Sequence, residues 1–180
     1  MEFDKDLQSI QEVRNLVEKA KAAQAVFASF SQKQVDQVVQ AVAEAAEKEA
    51  VRLAKLAAEE TGFGVWQDKV LKNLLGSRGI YTYIRDMKTV GVIREDEENK
   101  VWEIAVPMGV VAALIPSTNP TSTTMYKTLI CLKSGNAIII SPHPGAKNSI
   151  LETAKVLVDA ADDLSYNSAV SLLILFVRGL

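Results

Sequence analysis

Two short apolar runs on either side of a helical segment constrain the fold of this chain more than any other feature. Residues 109–115 are almost continuously β-branched and apolar, and residues 137–140 have a similar composition. Such runs are typical of strands that are buried on both faces of a parallel sheet. Between them, Asn119 and Pro120 predict the start of a helix, with an N-cap side chain and a proline in the first turn. The sequence therefore predicts a β-α-β unit in an α/β fold.

The predicted unit continues with a second helix over residues 147–161, and ligands of such units bind at the carboxyl ends of the strands. The glycine spacing does not match the phosphate fingerprint of ordinary dinucleotide folds, so strand ends and polar side chains must build any pocket. No third strand is recognisable after residue 161, and the parallel sheet is therefore expected to be incomplete. The buried side of the first helix is expected to consist of Met125, Leu129, Ile130 and Leu132.

The N-terminal region, residues 1–88, is predicted to be helical. Apolar residues recur at helical spacing over residues 9–27, beginning with Ile10 and Val13. This period indicates one amphipathic helix.

A second helical region opens with a capping box formed by Ser31 and Gln34. Its apolar period continues to about residue 60, which predicts either one long helix or two helices joined near Glu47. A third helical region begins near residue 65, and an interruption is expected near Gly76 or Gly79 because glycine weakens helices.

Residues 89–107 predict a β-hairpin, since valines and isoleucines flank a strongly charged segment. The charged residues 94–100 are interpreted as a solvated turn rather than a binding patch. The chain is thus divided into a helical region (1–88), a hairpin (89–107), a partial β-α-β-α unit (108–161) and a divergent tail (162–180).

Composition and charge exclude several classes of function. The formal net charge is -2 and the basic residues are scattered, which argues against nucleic-acid and anionic-membrane partners. The longest apolar run is far shorter than the roughly 20 residues that span a bilayer, and the acidic N-terminus does not resemble a secretory signal. The only cysteine, Cys131, cannot form an internal disulfide, so a reducing cytoplasmic setting is expected.

Asn119 follows the first predicted strand and is the first candidate site residue. One interpretation makes it only the N-cap of the helix, since asparagine is a preferred N-cap. The other makes its amide a donor to a developing oxyanion, at a helix N-terminus that favours negative charge. Both roles require the same side chain.

The segment Ser141-Pro142-His143-Pro144 follows the second predicted strand and contains the only histidine. His143 is interpreted either as a rigid loop residue or as a contact to the sugar or base of a nucleotide. Cys131 falls within a predicted helix and is interpreted as a small buried hydrophobe. No grouping of His, Cys, Asp and Glu has the spacing of a metal site, so no metal is predicted.

Five ordered segments of the sequence resemble the N-terminal part of the CoA-acylating aldehyde dehydrogenases. That group includes acetaldehyde dehydrogenase (acetylating) and the aldehyde half of the bifunctional aldehyde-alcohol dehydrogenase. The resemblance extends over residues 13–158 and implies an aldehyde dehydrogenase-like fold with an incomplete parallel Rossmann-type sheet. The matching segments are residues 64–73, 88–93, 116–122, 133–139 and 141–147.

The resemblance implies an aldehyde that is oxidised on a cysteine thiol, a hydride passed to NAD, and a thioester captured by coenzyme A. Asn119 would stabilise the oxyanion of the hemithioacetal. In the wider superfamily a lysine usually occupies the position of Ser141, and this sequence departs from that pattern. The remaining residues implied in cofactor binding are Ile115, Pro116, Ser117 and Thr118 on the nicotinamide side, and Ser141, Pro142, His143 and Pro144 on the adenosine side.

The chain also departs from this family in length and in its cysteine. Family members are more than twice as long, and Cys131 does not match the motif of their nucleophile. The resemblance therefore implies a truncated N-terminal half, inactive alone, whose full-length form acts on a small aldehyde and coenzyme A and is a homo-oligomer. The alternatives are a non-catalytic nucleotide-binding or subunit-assembly module, and a helical domain with a small sheet and no ligand. The choice between NAD and NADP stays open.

Overall fold

The structure is a computed structural model that describes residues 4–164 and 170–177. Residues 1–3 of the acidic N-terminus, which was predicted not to be a secretory signal, and parts of the tail beyond residue 161 lie outside the described residues. The helices are α1 (Lys5–Phe27), α2 (Gln32–Lys48), α3 (Ala50–Thr61), α4 (Trp66–Leu74), α5 (Ile80–Ile84), α6 (Pro120–Lys133) and α7 (Lys147–Asp162). The strands are β1 (Gly91–Asp96), β2 (Val101–Ala105), β3 (Val110–Ile115), β4 (Ala137–Pro142) and β5 (Ile174–Phe176).

The first helix forms where its apolar period predicts it, but only its second half is packed. Ala20, Ala23 and Phe27 are buried, whereas Ile10 and Val13 are 47% and 42% exposed. The first half of the apolar stripe of α1 is therefore not packed against other described residues.

The capping box at the start of α2 is confirmed. The backbone N–H of Ser31 donates to Oε1 of Gln34 at 2.9 Å, and the Gln34 N–H donates back to Oγ of Ser31 at 3.4 Å. Two helices follow rather than one, and they meet at Glu49. Gly62 ends α3 with φ of 66°, a left-handed conformation that glycine adopts without steric cost.

The expected interruption at Gly76 or Gly79 is not a break. The chain continues from α4 through a π-helical segment, Leu75–Gly79, directly into α5. A Cβ atom on Gly76 would lie 2.7 Å from the backbone carbonyl oxygen of Ser122 in α6. Glycine at this position lets the two helical backbones approach closely.

The hairpin is formed by the antiparallel strands β1 and β2. Its turn occupies residues 97–100, so the prediction of a turn over the whole charged segment is wrong for residues 94–96. These residues extend β1 because each finds a partner on β2, and Arg94 pairs with Glu103 at 2.9 Å. Cross-strand ion pairs of this kind are compatible with an exposed strand surface.

The second sheet is parallel and has the strand order β3-β4-β5. Strand β4 is almost entirely buried, as predicted, but β3 is not buried on both faces, because Ala112 is exposed and Leu114 is 74% exposed. The expectation that no third strand follows is also wrong. Strand β5 pairs with residues 138–140 of β4 in parallel register.

The core lies between the parallel sheet and the helices that pack on it. Helices α6 and α7 contact the sheet, α2 packs on both of them, and α1 contacts all three strands of the sheet. Met125, Leu129 and Leu132 are fully buried as predicted, but Ile130 is 43% exposed because it lies on the outer side of α6. Within residues 4–164 and 170–177, no helix is long and apolar enough to cross a lipid bilayer.

Candidate functional site

The carboxyl ends of β3 and β4 lie side by side, as the β-α-β prediction requires. Leu114 is in register with Ser141, and Ile115 is in register with Pro142. The backbone N–H of His143 donates to the carbonyl oxygen of Ile115 at 3.1 Å, which extends the pairing beyond the strands. The two segments that were singled out from the sequence therefore start at one edge of the sheet.

Asn119 is the N-cap of α6 by its backbone only. Its carbonyl oxygen accepts the N–H of Thr123 at 3.2 Å, but its side chain makes no capping hydrogen bond. Oδ1 of Asn119 instead accepts a hydrogen bond from Nζ of Lys72 at 2.9 Å. The interpretation of this side chain as a helix cap is therefore wrong. The hydrogen bond from Lys72, and not a bond to the helix, sets the orientation of its NH₂ group.

Lys69 is a functional candidate that the sequence did not identify. Its side chain is buried, with 4% exposed, and Nζ donates to the carbonyl oxygen of Thr118 at 3.0 Å. Burial lowers the pKa of Lys69, and the nearby charge of Lys72 lowers it further. The spacing of two lysines three residues apart was visible in the segment 64–73, but burial of one of them depends on how α4 packs.

Helix α4 is fixed on α6 by a buried amide. Nδ2 of Asn73 donates to the carbonyl oxygen of Ala50 at 2.9 Å, and Oδ1 accepts from Oγ1 of Thr121 at 2.7 Å. Together with the close approach at Gly76, these bonds hold the lysines of α4 over the start of α6. Buried amides with both partners satisfied fix side-chain positions strongly.

Two neighbouring cavities open at this junction. A polar cavity of about 230 Å³ is lined by Lys69, Lys72, Thr118 and Asn119, among others. A more apolar cavity of about 410 Å³ shares Lys72 and Asn119 and extends to Tyr126. Asn119 thus lies between a cationic recess and an apolar one, an arrangement suited to a small polar group on an apolar substrate.

The segment 141–144 opens onto a different cavity. Ser141 is half-buried and lines an apolar cavity of about 680 Å³ between β3, β4 and α1, whereas Pro142 is buried. His143 is exposed, and its Nδ1 accepts the N–H of Gly145 at 3.0 Å, so the ring caps a short turn. Pro144 is exposed in the same turn.

The residues between β3 and α6 differ in exposure. Ile115 belongs to the core, with 3% exposed, so it can face a ligand only through its backbone. Pro116 and Thr118 are exposed, and Ser117 is half-buried. Their proposed contact with a nicotinamide ring stays a prediction, as does the assignment of 141–144 to the adenosine side.

Cys131 is a buried hydrophobe, as predicted. Its side chain is 7% exposed, and burial raises the pKa of the thiol to about 11, although Lys127 acts in the opposite direction. A thiol that is neutral and buried is a poor nucleophile. No group of three or more His, Cys, Asp and Glu suited to a metal ion occurs within the described part of the chain.

Comparison with known proteins identifies the family. The profile of the aldehyde dehydrogenase family matches residues 6–165. This chain belongs to the aldehyde dehydrogenase family. The predicted aldehyde dehydrogenase-like α/β fold is confirmed by a probable aldehyde dehydrogenase from Listeria monocytogenes, which is 55% identical with a TM-score of 0.92 over 97% of this chain.

The resemblance to CoA-acylating members of the family is also confirmed. The chain is 51% identical over 111 residues to an aldehyde-alcohol dehydrogenase of Clostridium acetobutylicum. It is 43% identical over 145 residues to a succinate-semialdehyde dehydrogenase (acetylating) of Clostridium kluyveri. An acetylating aldehyde dehydrogenase from Geobacillus thermoglucosidasius superimposes with a TM-score of 0.89 over 93% of the chain at 53% identity.

The chain spans only part of each of these relatives. The alignments cover 62% and 81% of this chain but 13% and 32% of the two Clostridium proteins. The matches to the Listeria and Geobacillus structures cover 38% and 37% of those chains.

Two further similar structures contain ligands. A propionaldehyde dehydrogenase of Rhodopseudomonas palustris, 27% identical with a TM-score of 0.78, holds propionyl-CoA. An engineered glycolyl-CoA reductase, 25% identical with a TM-score of 0.76, holds NADP⁺. These relatives support a nicotinamide cofactor and coenzyme A for this family, without a choice between NAD and NADP.

Proposed function

We propose that this chain supplies the oxyanion and nicotinamide side of the active site of an acylating aldehyde dehydrogenase. The complete enzyme would convert a short aldehyde, coenzyme A and NAD to acyl-CoA and NADH. The observation that supports this assignment most is that the carboxyl ends of β3 and β4 are adjacent. Asn119 lies in the segment that follows β3, and Ser141 lies near the end of β4. A cytoplasmic location is part of the same proposal.

Asn119 has the role of an oxyanion donor. When an aldehyde carbonyl is attacked by a thiol, negative charge develops on the carbonyl oxygen, and prepositioned N–H donors stabilise it. Lys72 holds Oδ1 of Asn119, so the NH₂ group is the part of the amide left to donate. The positive end of α6 adds a favourable electrostatic contribution at the same place.

The bound nucleotide would accept the hydride, and coenzyme A would receive the acyl group. The residues of this chain orient those groups: Pro116 and Thr118 present an exposed, rigid edge for the nicotinamide, and Ser141 offers a hydroxyl on the adenosine side. The first turn of α7 is not available to phosphates. Its N–H groups at Asn148 and Ser149 already donate to the carboxylate of Glu60.

Calorimetric titration of the purified chain with NADH and NADPH tests this proposal. We expect saturable binding of at least one nucleotide, and we expect Ser141→Trp to weaken it because the indole ring fills the strand edge. Glu59→Ala, an exposed change in α3, serves as the control and should bind as the wild type does. Absence of binding for both nucleotides would refute the nucleotide part of the proposal.

A subunit-assembly module is the second candidate function, and the hairpin supports it. Val101, Trp102 and Ile104 on β2 are 50%, 66% and 58% exposed, and Val106 beyond the strand is 77% exposed. Trp102, Ile104 and Val106 share one face of the strand because side chains alternate between faces. Exposed apolar side chains on one face are typical of an interaction site. Sedimentation velocity of the wild type and of Ile104→Lys tests this candidate, since assembly through the hairpin predicts a concentration-dependent dimer that the variant loses.

A further inference from the structure

Lys69, the buried lysine of α4, lacks the kind of partner that Lys133, a buried lysine of α6, has. Lys133 is 2% exposed, and its Nζ contacts Oδ1 of Asp36 at 2.6 Å and the carbonyl oxygen of Arg85 at 2.8 Å. Lys69 is similarly buried, with 4% exposed, yet among the described residues its Nζ bonds only to the carbonyl oxygen of Thr118, at 3.0 Å. A buried ammonium group without a counter-charge is costly, because desolvation is not offset by an ion pair.

A second cation increases the imbalance at Lys69. Nζ of Lys72 is bonded to the neutral amide of Asn119, and neither lysine takes part in a salt bridge within residues 4–164 and 170–177. Asp68 also lines the polar cavity, but its side chain is exposed at the rim. Two positive groups therefore converge on one recess of about 230 Å³ with no carboxylate bonded to either of them.

We propose that Lys69, Lys72 and one N–H of the Asn119 side-chain amide form a binding site for one compact oxyanion, which leaves the second N–H of that amide for the oxygen of the reacting aldehyde. The site takes a carboxylate, sulfonate or phosphate group, since each presents oxygen acceptors to ammonium and amide donors. The N-terminus of α6 reinforces the positive potential there, because helix dipoles favour anions at that end. The recess is smaller than the roughly 300–1,000 Å³ of sites that hold whole drug-sized ligands, so it suits one group of a larger molecule.

The anion has two possible sources with the same chemistry. It is either the acidic tail of an aldehyde substrate or a phosphate group of a nucleotide cofactor. The anion site itself does not depend on the proposed dehydrogenase function, whereas its assignment to a substrate tail rests on that function. Competition between a dicarboxylate and NADH distinguishes the two sources.

Thermal unfolding of the 180-residue chain in sodium succinate or inorganic phosphate tests the site, with sodium chloride at matched ionic strength as the reference. At ten times the dissociation constant, one site shifts the folding equilibrium 11-fold, which is about 1.4 kcal/mol. A chain of this size should then unfold about 3–6 °C higher. The neutral analogue 1,4-butanediol should have no such effect.

Two variants localise the effect. Lys69→Met keeps the length of the side chain and removes the buried charge, so it should unfold at a higher temperature without anion and lose the response to succinate. Lys155→Met changes an exposed lysine of α7 and should keep the response. A succinate response that equals that of chloride, or that persists in Lys69→Met, overturns the site.

A further measurement does not require any variant to fold. The side-chain amide resonance of Asn119 in the wild type should shift on addition of succinate, and an unchanged resonance at saturating succinate overturns the site. If NADH displaces succinate, the anion is a cofactor phosphate, and if both bind together, it is a substrate tail. If NADH binds but succinate and phosphate have no effect, the proposed anion site is wrong and the nucleotide proposal stands. If the anions have an effect but NADH does not bind, only the nucleotide proposal is wrong.

Discussion

Glu60 at the end of α3 caps helix α7 through Ser149, 89 residues later in the chain. Oε2 of Glu60 accepts the Ser149 N–H at 2.7 Å, and Oε1 accepts the Asn148 N–H at 2.8 Å. The carboxylate also faces the positive end of the helix dipole, which adds to the two hydrogen bonds. One side chain thus joins the helical N-terminal region to the parallel α/β unit.

Glu60→Ala should therefore destabilise the chain by more than an ordinary surface change. Loss of a helix cap costs about 1 kcal/mol, and this corresponds to a fall in the unfolding temperature of about 2–4 °C for a chain of this length. Glu59→Ala has the same effect on helix propensity in α3 without touching α7, and it should change stability little. Equal unfolding temperatures for the two variants would contradict the capping role.

Two glycines in the π-helical segment should respond in opposite ways to the same change. Gly76→Ala places a methyl group 2.7 Å from the rigid carbonyl of Ser122, and such overpacking costs about 1–3 kcal/mol. At Gly79 a methyl group meets only the flexible end of the Leu75 side chain at 3.1 Å, in a backbone conformation that alanine prefers. Urea unfolding should show Gly76→Ala as destabilised and Gly79→Ala as no less stable than the wild type.

The thiol of Cys131 should make stability fall at alkaline pH. Burial raises its pKa from the ordinary value of 9.0 to about 11 in the folded chain, so the folded state holds the proton more tightly than the unfolded state. Stability from this group is complete below pH 9 and is lost as the pH rises towards 11. Lys69 and Tyr81 also have shifted pKa values, so the measured quantity is the difference between wild type and Cys131→Ala. The stability advantage of the wild type should shrink between pH 8 and pH 10.5.

The sequence predicted the helices whose signals lie within a few neighbouring residues, but it did not predict strand β5. The apolar period predicted α1 and α2, and the Ser31 capping box located the start of α2, because these signals act within a few residues. Strand β5 has only three residues, and its structure depends on pairing with β4, including the bond from the Val177 N–H to the Ile140 carbonyl at 3.0 Å. A strand of three residues is too short to show a hydrophobic period, and its pairing with a strand more than thirty residues earlier has no local sequence signal.

The candidate site, like the fold, was predictable from the sequence only where neighbouring residues determine it. The position of Asn119 after a buried strand and before a helix was readable from the sequence, since strand, turn and cap residues are adjacent there. Its hydrogen bond to Lys72 was not readable, because it depends on the packing of α4 against α6 across 47 positions. The composition of β3 indicated apolar surroundings, but it could not reveal that Leu114 faces an open side of the sheet.

The 180-residue chain should not form NADH from an aldehyde and coenzyme A. The proposed reaction requires a nucleophilic thiol, and the only cysteine of this chain is buried in α6 with a raised pKa. We expect no increase in absorbance at 340 nm with acetaldehyde, NAD and coenzyme A, for the wild type or for Cys131→Ala. A rate that Cys131→Ala abolishes would make Cys131 the nucleophile after all, and a rate that this variant keeps would show chemistry without a cysteine.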